Sequence, residues 1–190
     1  MRDYALRIPD PRLQTADRTI IKKAVASVFG DRHDGTDPRY LFSPEPRHDL
    51  GPWLRVRVCV DGTEIDPAIA RPIAVPVPGR GALVQGSAWV ALKQKFPISD
   101  RGRALAKLAD MRGLFEEALD LTVFEAGEEL GLANMERGRS RFQRAFGRIR
   151  LEGTVRDQDA LTGLMRTGVG AAKAYGFGLV DIEQKAEHDE

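Results

Sequence analysis

The stretch RTGVGAAKAYGFGLV, Arg166 to Val180, sets four glycines, Gly168, Gly170, Gly176 and Gly178, around a single lysine, Lys173. Glycine-rich loops that hold nucleotide phosphates follow a strand and open a helix, because the free N–H groups of the helix N-terminus meet the phosphate. Here the order is reversed. Leu161, Leu164 and Met165 recur at helical spacing before the loop, Asp157 or Asp159 can cap that helix, and Gly168 stands where a C-cap glycine belongs. The strand GFGLVDIEQ comes afterwards. This order argues against a mononucleotide or dinucleotide cradle. Two readings remain. Either the glycines only permit positive φ in a tight helix-to-strand turn, or they let a polyanion approach the backbone, with Lys173 as a point charge.

Working outward, the residues upstream of the loop supply a polyanion's counter-charge. From Asn134 to Arg156, Arg137, Arg139, Arg141, Arg144, Arg148, Arg150 and Arg156 stand against only Glu136 and Glu152. The whole chain hides this excess. Its net charge is +1, because EEALD and EAGEEL in the preceding segment are acidic. A local arginine cluster is what phosphate neutralisation needs, so RNA or DNA is the expected partner; arginines that are only solvated surface are the competing reading. Arg137, Arg139 and Arg141 read as a basic hairpin. GRIRLEGTV alternates, with Ile149, Leu151 and Val155 inward and Arg148 and Arg150 on the other face. The expected contacts are these five arginines together with Gly168, Gly170 and Lys173. Lys93 and Lys95 add to the same charge.

The N-terminal half reads β-α-β-β. YALRI is a strand stopped by PDP, and Asp17 is placed as the cap of a helix whose apolar face is Ile20, Ile21, Ala24, Val25 and Val28. Arg18, Thr19, Lys22, Lys23 and Ser27 fall on the opposite side. RYLFSPE and PWLRVRVCVDG are the next strands, the latter with Leu54, Val56, Val58 and Val60 on one face and Arg55 and Arg57 on the other. A fourth element is placed at IAVPVPG. In the second half, Ala82 to Pro97 reads as strand, Ser99 to Leu130 carries a helical pattern, and strands flank the last helix. Two β-α-β-β-α-β units fit the length. The expected class is α+β, with two tandem ferredoxin-like domains at 1–80 and 81–190.

Composition excludes several classes. With 42% hydrophobic residues the chain can bury a core. The single cysteine, Cys59, makes no internal disulfide and reads as a small buried hydrophobe. No run approaches the length of a membrane span, and MRDYALRIPDPRL lacks a signal core, so a cytoplasmic protein without membrane contact is expected. No cluster of Cys, His and carboxylates has metal-ligand spacing, so neither a metal nor another cofactor is expected.

The run FGRIRLEGTVRDQDALTGLMRTGVGAAKAYGFGLVDI, Phe146 to Ile182, resembles the C-terminal signature of the CRISPR-associated repeat-RNA endoribonucleases, above all the CasE-type branch of Cascade-like complexes. In that family a strand with an EG end, a short helix and a GhGxxKxxGhGLL loop occur in this order. IIKKAVASVFGDRHDGTDPRYLFSPEP is similar to the family's first helix and second strand. The two matches cover about a third of the chain, at both ends.

The resemblance implies tandem ferredoxin-like domains and binding to a CRISPR repeat RNA hairpin. It implies one metal-independent cut at the 3′ base of the stem. The adjacent 2′-hydroxyl attacks the phosphate, leaving a 2′,3′-cyclic phosphate and a 5′-hydroxyl. The protein then stays on the crRNA, beside the backbone and other subunits of a surveillance complex. The family's usual catalytic histidine on the first helix, with a tyrosine one turn earlier, falls here on Lys22 and Thr19. Lys22 and Lys23 can stabilise a phosphorane by charge, and either acts as a base only where its pKa is lowered. His33 is the substitute candidate because histidine titrates near neutrality, although it lies about 15 Å beyond Lys22 if the helix ran on. His48 is a weaker version of the same idea, and His188 sits in the polar tail. The alternative is a catalytically inactive, hairpin-binding structural subunit of the same complex.

Overall fold

Alternating apolar residues in the N-terminal third build an antiparallel sheet around one helix. The structure, a computed structural model, describes residues 1–7, 18–30, 40–43, 53–59, 65–66, 68–93, 100–127, 129–137 and 139–185. Strands β1 (Arg2–Arg7), β2 (Tyr40–Phe42), β3 (Trp53–Val58) and β4 (Ala70–Ile73) lie in the order β2-β3-β1-β4. Tyr4 pairs with Val56 and Leu6 with Leu54, which puts the apolar sets of β1 and β3 on one face. Helix α1 (Arg18–Phe29) closes that face with Ile21, Val25 and Phe29.

The second sheet comprises β5 (Leu83–Ala91), β6 (Leu119–Ala126), β7 (Gly131–Arg137), β8 (Ser140–Val155) and β9 (Val180–Gln184), in the order β6-β8-β5-β9. The 16-residue β8 organises it. Its first half pairs with β7, from Arg137↔Ser140 to Gly131↔Phe146, and its second half with β6. Helices α2 (Arg101–Ala109), α3 (Arg112–Glu116) and α4 (Gln158–Thr167) cover one face. Leu108, Phe115, Leu161 and Met165 meet Ile149, Leu151 and Val155 there, the inward set expected from alternation. With β7 set aside as an inserted hairpin strand, both sheets have the strand order 2-3-1-4 of the ferredoxin-like plan. The fold is α+β, two such units in tandem.

Three sequence expectations need correction. The helical pattern of Ser99 to Leu130 ends early, because β6 begins at Leu119, where Leu119 and Leu121, and after a bulge Phe124 and Ala126, face the core along β8. The fourth strand is ARPI rather than IAVPVPG, since its partner β1 begins at Arg2 and the pairing ends at Asp3↔Ile73, and the edge position of β4 tolerates Pro72. On α1, Ile20 is 47% exposed while Thr19 is buried, because the helix also packs against the second unit. The expected cap Asp17 lies outside the described residues.

The second face of the first sheet decides how the units meet. Asp3, Arg55 and Arg57 are all buried on it. Arg57 grips Asp3 through two bonds, Nε to Oδ1 at 2.9 Å and Nη2 to Oδ2 at 3.1 Å. Arg55 Nε donates to Asp3 Oδ2 at 2.6 Å, and its Nη1 donates to Asp181 on β9. Arg57 Nη1 crosses to the carbonyls of Val180, at 2.7 Å, and Met165, at 3.1 Å. Burial opposes the Arg55 charge, but the charges of Asp181 and Asp3 and their hydrogen bonds outweigh it and raise its pKa above the ordinary arginine value. Beside the network, Leu41 and Cys59 pack on Leu179, and the Cys59 thiol donates to the Arg166 carbonyl at 3.0 Å.

Two outcomes follow for stability. Asp3→Ala leaves two buried guanidiniums without their shared carboxylate, and should lower unfolding free energy by about 3–5 kcal/mol in urea titration. Burial pushes the Cys59 thiol up to about 11. The native state therefore keeps a proton that the unfolded chain loses. This stabilisation is complete below the unfolded thiol's ordinary pKa and is lost as pH rises through about 11. A thiol reagent at pH 8 should label Cys59 only after denaturant is added.

Candidate nucleic-acid interface

The site begins at the end of α4. Asp157 is the helix cap, its carboxylate accepting from Asp159 N and Ala160 N at 2.9 Å each. The helix ends on Gly168 at φ 68°, whose N–H donates to Leu164 O at 2.8 Å. The chain then runs along β5, with Ala171 N on Ala91 O at 2.8 Å and Gly178 N on Trp89 O at 2.6 Å, through the 3₁₀ turn Lys173–Tyr175. A Cβ on Gly168 would sit 2.6 Å from Gly178 O and 2.9 Å from Leu41 of β2. One on Gly178, at φ 85°, would overlap the Val169 carbonyl. Gly170 abuts Val90 and Ala91, and Gly176 abuts the Phe42 ring. The chain's own crowding thus accounts for all four glycines. Lys173 Nζ donates to Thr167 O at 2.6 Å, in the last turn of α4.

Helix α1 docks on this loop through two cations one turn apart. Residues i and i+4 of a helix share a face. Arg18 lies over the Phe177 ring at 5.3 Å, and Lys22 over the Tyr175 ring at 5.1 Å. Between them Thr19 Oγ1 accepts from Glu136 N at 3.0 Å, and the Tyr175 hydroxyl donates to Glu136 O. The Glu136 carboxylate in turn takes Arg141 Nε at 2.7 Å. Phe142 meets Tyr175 edge-on at 6.0 Å. Three segments, α1, the glycine loop and the β7–β8 hairpin, thus converge on Glu136.

The predicted residues are distributed around this junction. Lys22 is half-buried and Lys23 exposed. Arg139 and the 87%-exposed Arg141 lie at the tip of the β7–β8 hairpin. The Arg137 backbone pairs with Ser140 at that tip. Arg148 and Arg150 lie farther along β8, on the face away from the helices. Arg148 stacks over Trp89 at 5.9 Å and pairs with Glu129 at 3.3 Å, and Arg150 stands opposite Ser87. His33, His48, His188 and Lys95 lie outside the described residues. Sequence reasoning missed Arg18, Thr19 and Glu136 as members of the junction. The only signal was the pairing of spacings, i,i+4 cations near one end of the chain and alternating aromatics near the other.

Among the described residues no group of three or more His, Cys, Asp or Glu could hold a metal ion. Among them, too, no helix is long and apolar enough to cross a membrane.

A family model described as CRISPR associated protein matches residues 85–184, 100 of the 190 residues. Solved structures match over nearly the whole chain. The CRISPR endoribonuclease Cse3 bound to a 19-nucleotide RNA is similar at 17% identity, with a TM-score of 0.64 over 96% of this chain and 100% of that one. The CRISPR-associated protein Cas6e from Escherichia coli K-12 is similar at 13% identity, with a TM-score of 0.58 over 97% and 98%. A chain of a CRISPR RNA-guided surveillance complex, pre-nicking, is similar at 16% identity, with a TM-score of 0.62 over 97% and 100%. At these identities the likeness establishes the fold. No curated protein sequence matches.

The loop packing gives two glycine substitutions opposite signs. Gly178→Ala forces a positive φ on alanine, which costs about 1–2 kcal/mol before any clash. Gly163→Ala, within α4 with open space at its Cβ, should stabilise by about 0.5–1 kcal/mol. Thermal unfolding of the two variants checks both signs.

Proposed function

As the chain belongs to the CRISPR-associated protein family, we propose that it binds the hairpin of CRISPR repeat RNA and cuts it at the base of the stem without a metal ion, then stays on the 3′ hairpin as a subunit of a Cascade-like complex. The observation that carries this is the junction at Glu136. It sets Lys22 of α1 beside the arginine-bearing β7–β8 hairpin. A-form RNA is met mainly through phosphates and 2′-hydroxyls, which suits arginine. Arg137, Arg139 and Arg141 would flank the stem, Arg148 and Arg150 would extend the basic surface, and Gly168, Gly170 and Lys173 would border the backbone.

In the reaction the 2′-oxygen bonds to the neighbouring phosphorus and the P–O5′ bond breaks. The 2′-hydroxyl proton leaves to a base, and the 5′-oxygen gains one from an acid. Lys22 and Lys23 supply positive charge to the phosphorane, where such stabilisation counts most. His33 remains a candidate for proton transfer. The hairpin-binding subunit without catalysis is the second reading. What favours it is Thr19, which stands where the family's tyrosine is expected and is occupied holding β7.

The test is cleavage of the cognate repeat RNA in EDTA, beside the same RNA with a 2′-deoxy substitution at the cut site. Cutting of the first only is expected. Tight binding without cutting selects the structural subunit, and no hairpin binding at low salt removes both readings. Lys22→Ala should slow cleavage at least about tenfold, close to 1.4 kcal/mol of barrier. Arg139→Ala with Arg141→Ala should weaken hairpin binding and reduce the slope of log K against log salt concentration by ~1 per lost phosphate contact.

A further inference from the structure

Glu136 sits on β7 opposite Arg141, at a position whose peptide points away from β8. Both of its backbone groups are taken by side chains from elsewhere, the N–H by Thr19 of α1 and the carbonyl by Tyr175 of the 3₁₀ turn. The Tyr175 ring is held from three directions. Its hydroxyl is on Glu136, Phe142 abuts it edge-on, and Lys22 lies over one face. We propose that Tyr175 is a positioning residue: its ring holds the Lys22 ammonium for the RNA phosphate, and its hydroxyl ties the basic hairpin to the same point.

A lysine is a flexible point charge on a long stem. A ring face attracts the ammonium through its quadrupole and so narrows the range of positions the stem would otherwise sweep. The hydroxyl adds a second function, since Glu136 also pairs with Arg141 near the hairpin tip. One side chain thereby sets the relative position of the α1 lysine and the hairpin arginines.

This inference rests on Lys22 engaging RNA, and the test separates the two. Single-turnover cleavage at saturating RNA and hairpin Kd are measured for Lys22→Ala, Tyr175→Leu, the double variant and Tyr175→Phe. Tyr175→Leu should slow saturated cleavage about threefold to thirtyfold, and adding Lys22→Ala to it should slow cleavage no further than Lys22→Ala alone. Tyr175→Phe keeps the ring, so it should lose less rate than Tyr175→Leu, while weakening hairpin binding about two- to tenfold through the missing hydroxyl bond. Additive losses in the double variant, or an unchanged rate in Tyr175→Leu, overturn the proposal. If the wild type binds without cutting, the double variant is compared in Kd instead: non-additive losses support the positioning, and additive losses or an unchanged Kd in Tyr175→Leu overturn it. An NMR measurement needs no RNA. The Lys22 ε-methylene protons, assigned by their loss in Lys22→Ala, should be shifted upfield by the ring and move back in Tyr175→Leu. If no hairpin is bound, the functional reading fails by itself, and an unshifted Lys22 signal overturns the positioning.

Discussion

Two guanidinium groups, Arg55 and Arg57, lie buried against Asp3 where the first sheet meets β9 and the end of α4. Charges this deep persist only when each finds a partner of opposite sign or a carbonyl dipole. Asp3 comes from the first sheet. Asp181, Val180 O and Met165 O come from the second unit. The arginines therefore reach these partners only when the two units are docked in one register. An apolar interface could slide, whereas this one has fixed hydrogen-bond geometry, which makes specificity of docking its natural contribution.

From that register the rest of the junction follows. Docking brings β2 onto the glycine loop, where Leu41 and Phe42 fill the space beside Gly168 and Gly176. It also lays α1 across the aromatic face of the second sheet, so that Arg18 and Lys22 reach Phe177 and Tyr175. The glycines are tight because three pieces of chain cross there: the turn after α4, the end of β5 and the first sheet. Lys173, the residue that makes the loop look like a phosphate site, donates to the last turn of α4.

The proposed RNA surface joins parts of opposite ends of the chain. The charge that suits RNA sits on β8 and its hairpin, the lysines sit on α1, and the contacts between them run through Thr19, Tyr175 and the peptide of Glu136. A net charge of only +1 conceals this, since acidic residues such as Glu125 and Asp120 lie on β6 rather than on the hairpin tip.

Local pattern alone determined a good deal. Period-two alternation placed β1, β3 and the inward face of β8, a capping aspartate and a C-cap glycine bounded α4, and the helix-before-strand order ruled against a nucleotide cradle. These features depend on neighbours in the chain, so they are legible there. Pattern failed where long-range pairing overrides it. Residues 119–126 become strand because β8 offers an open edge, and Thr19 is buried because a second unit covers its side of α1. That Arg55 and Arg57 lie in the interior, and that Lys22 stands over Tyr175, was decided only by the tertiary structure. Partners so far apart in sequence leave no periodic trace, and only docking removes the water that would otherwise solvate those charges.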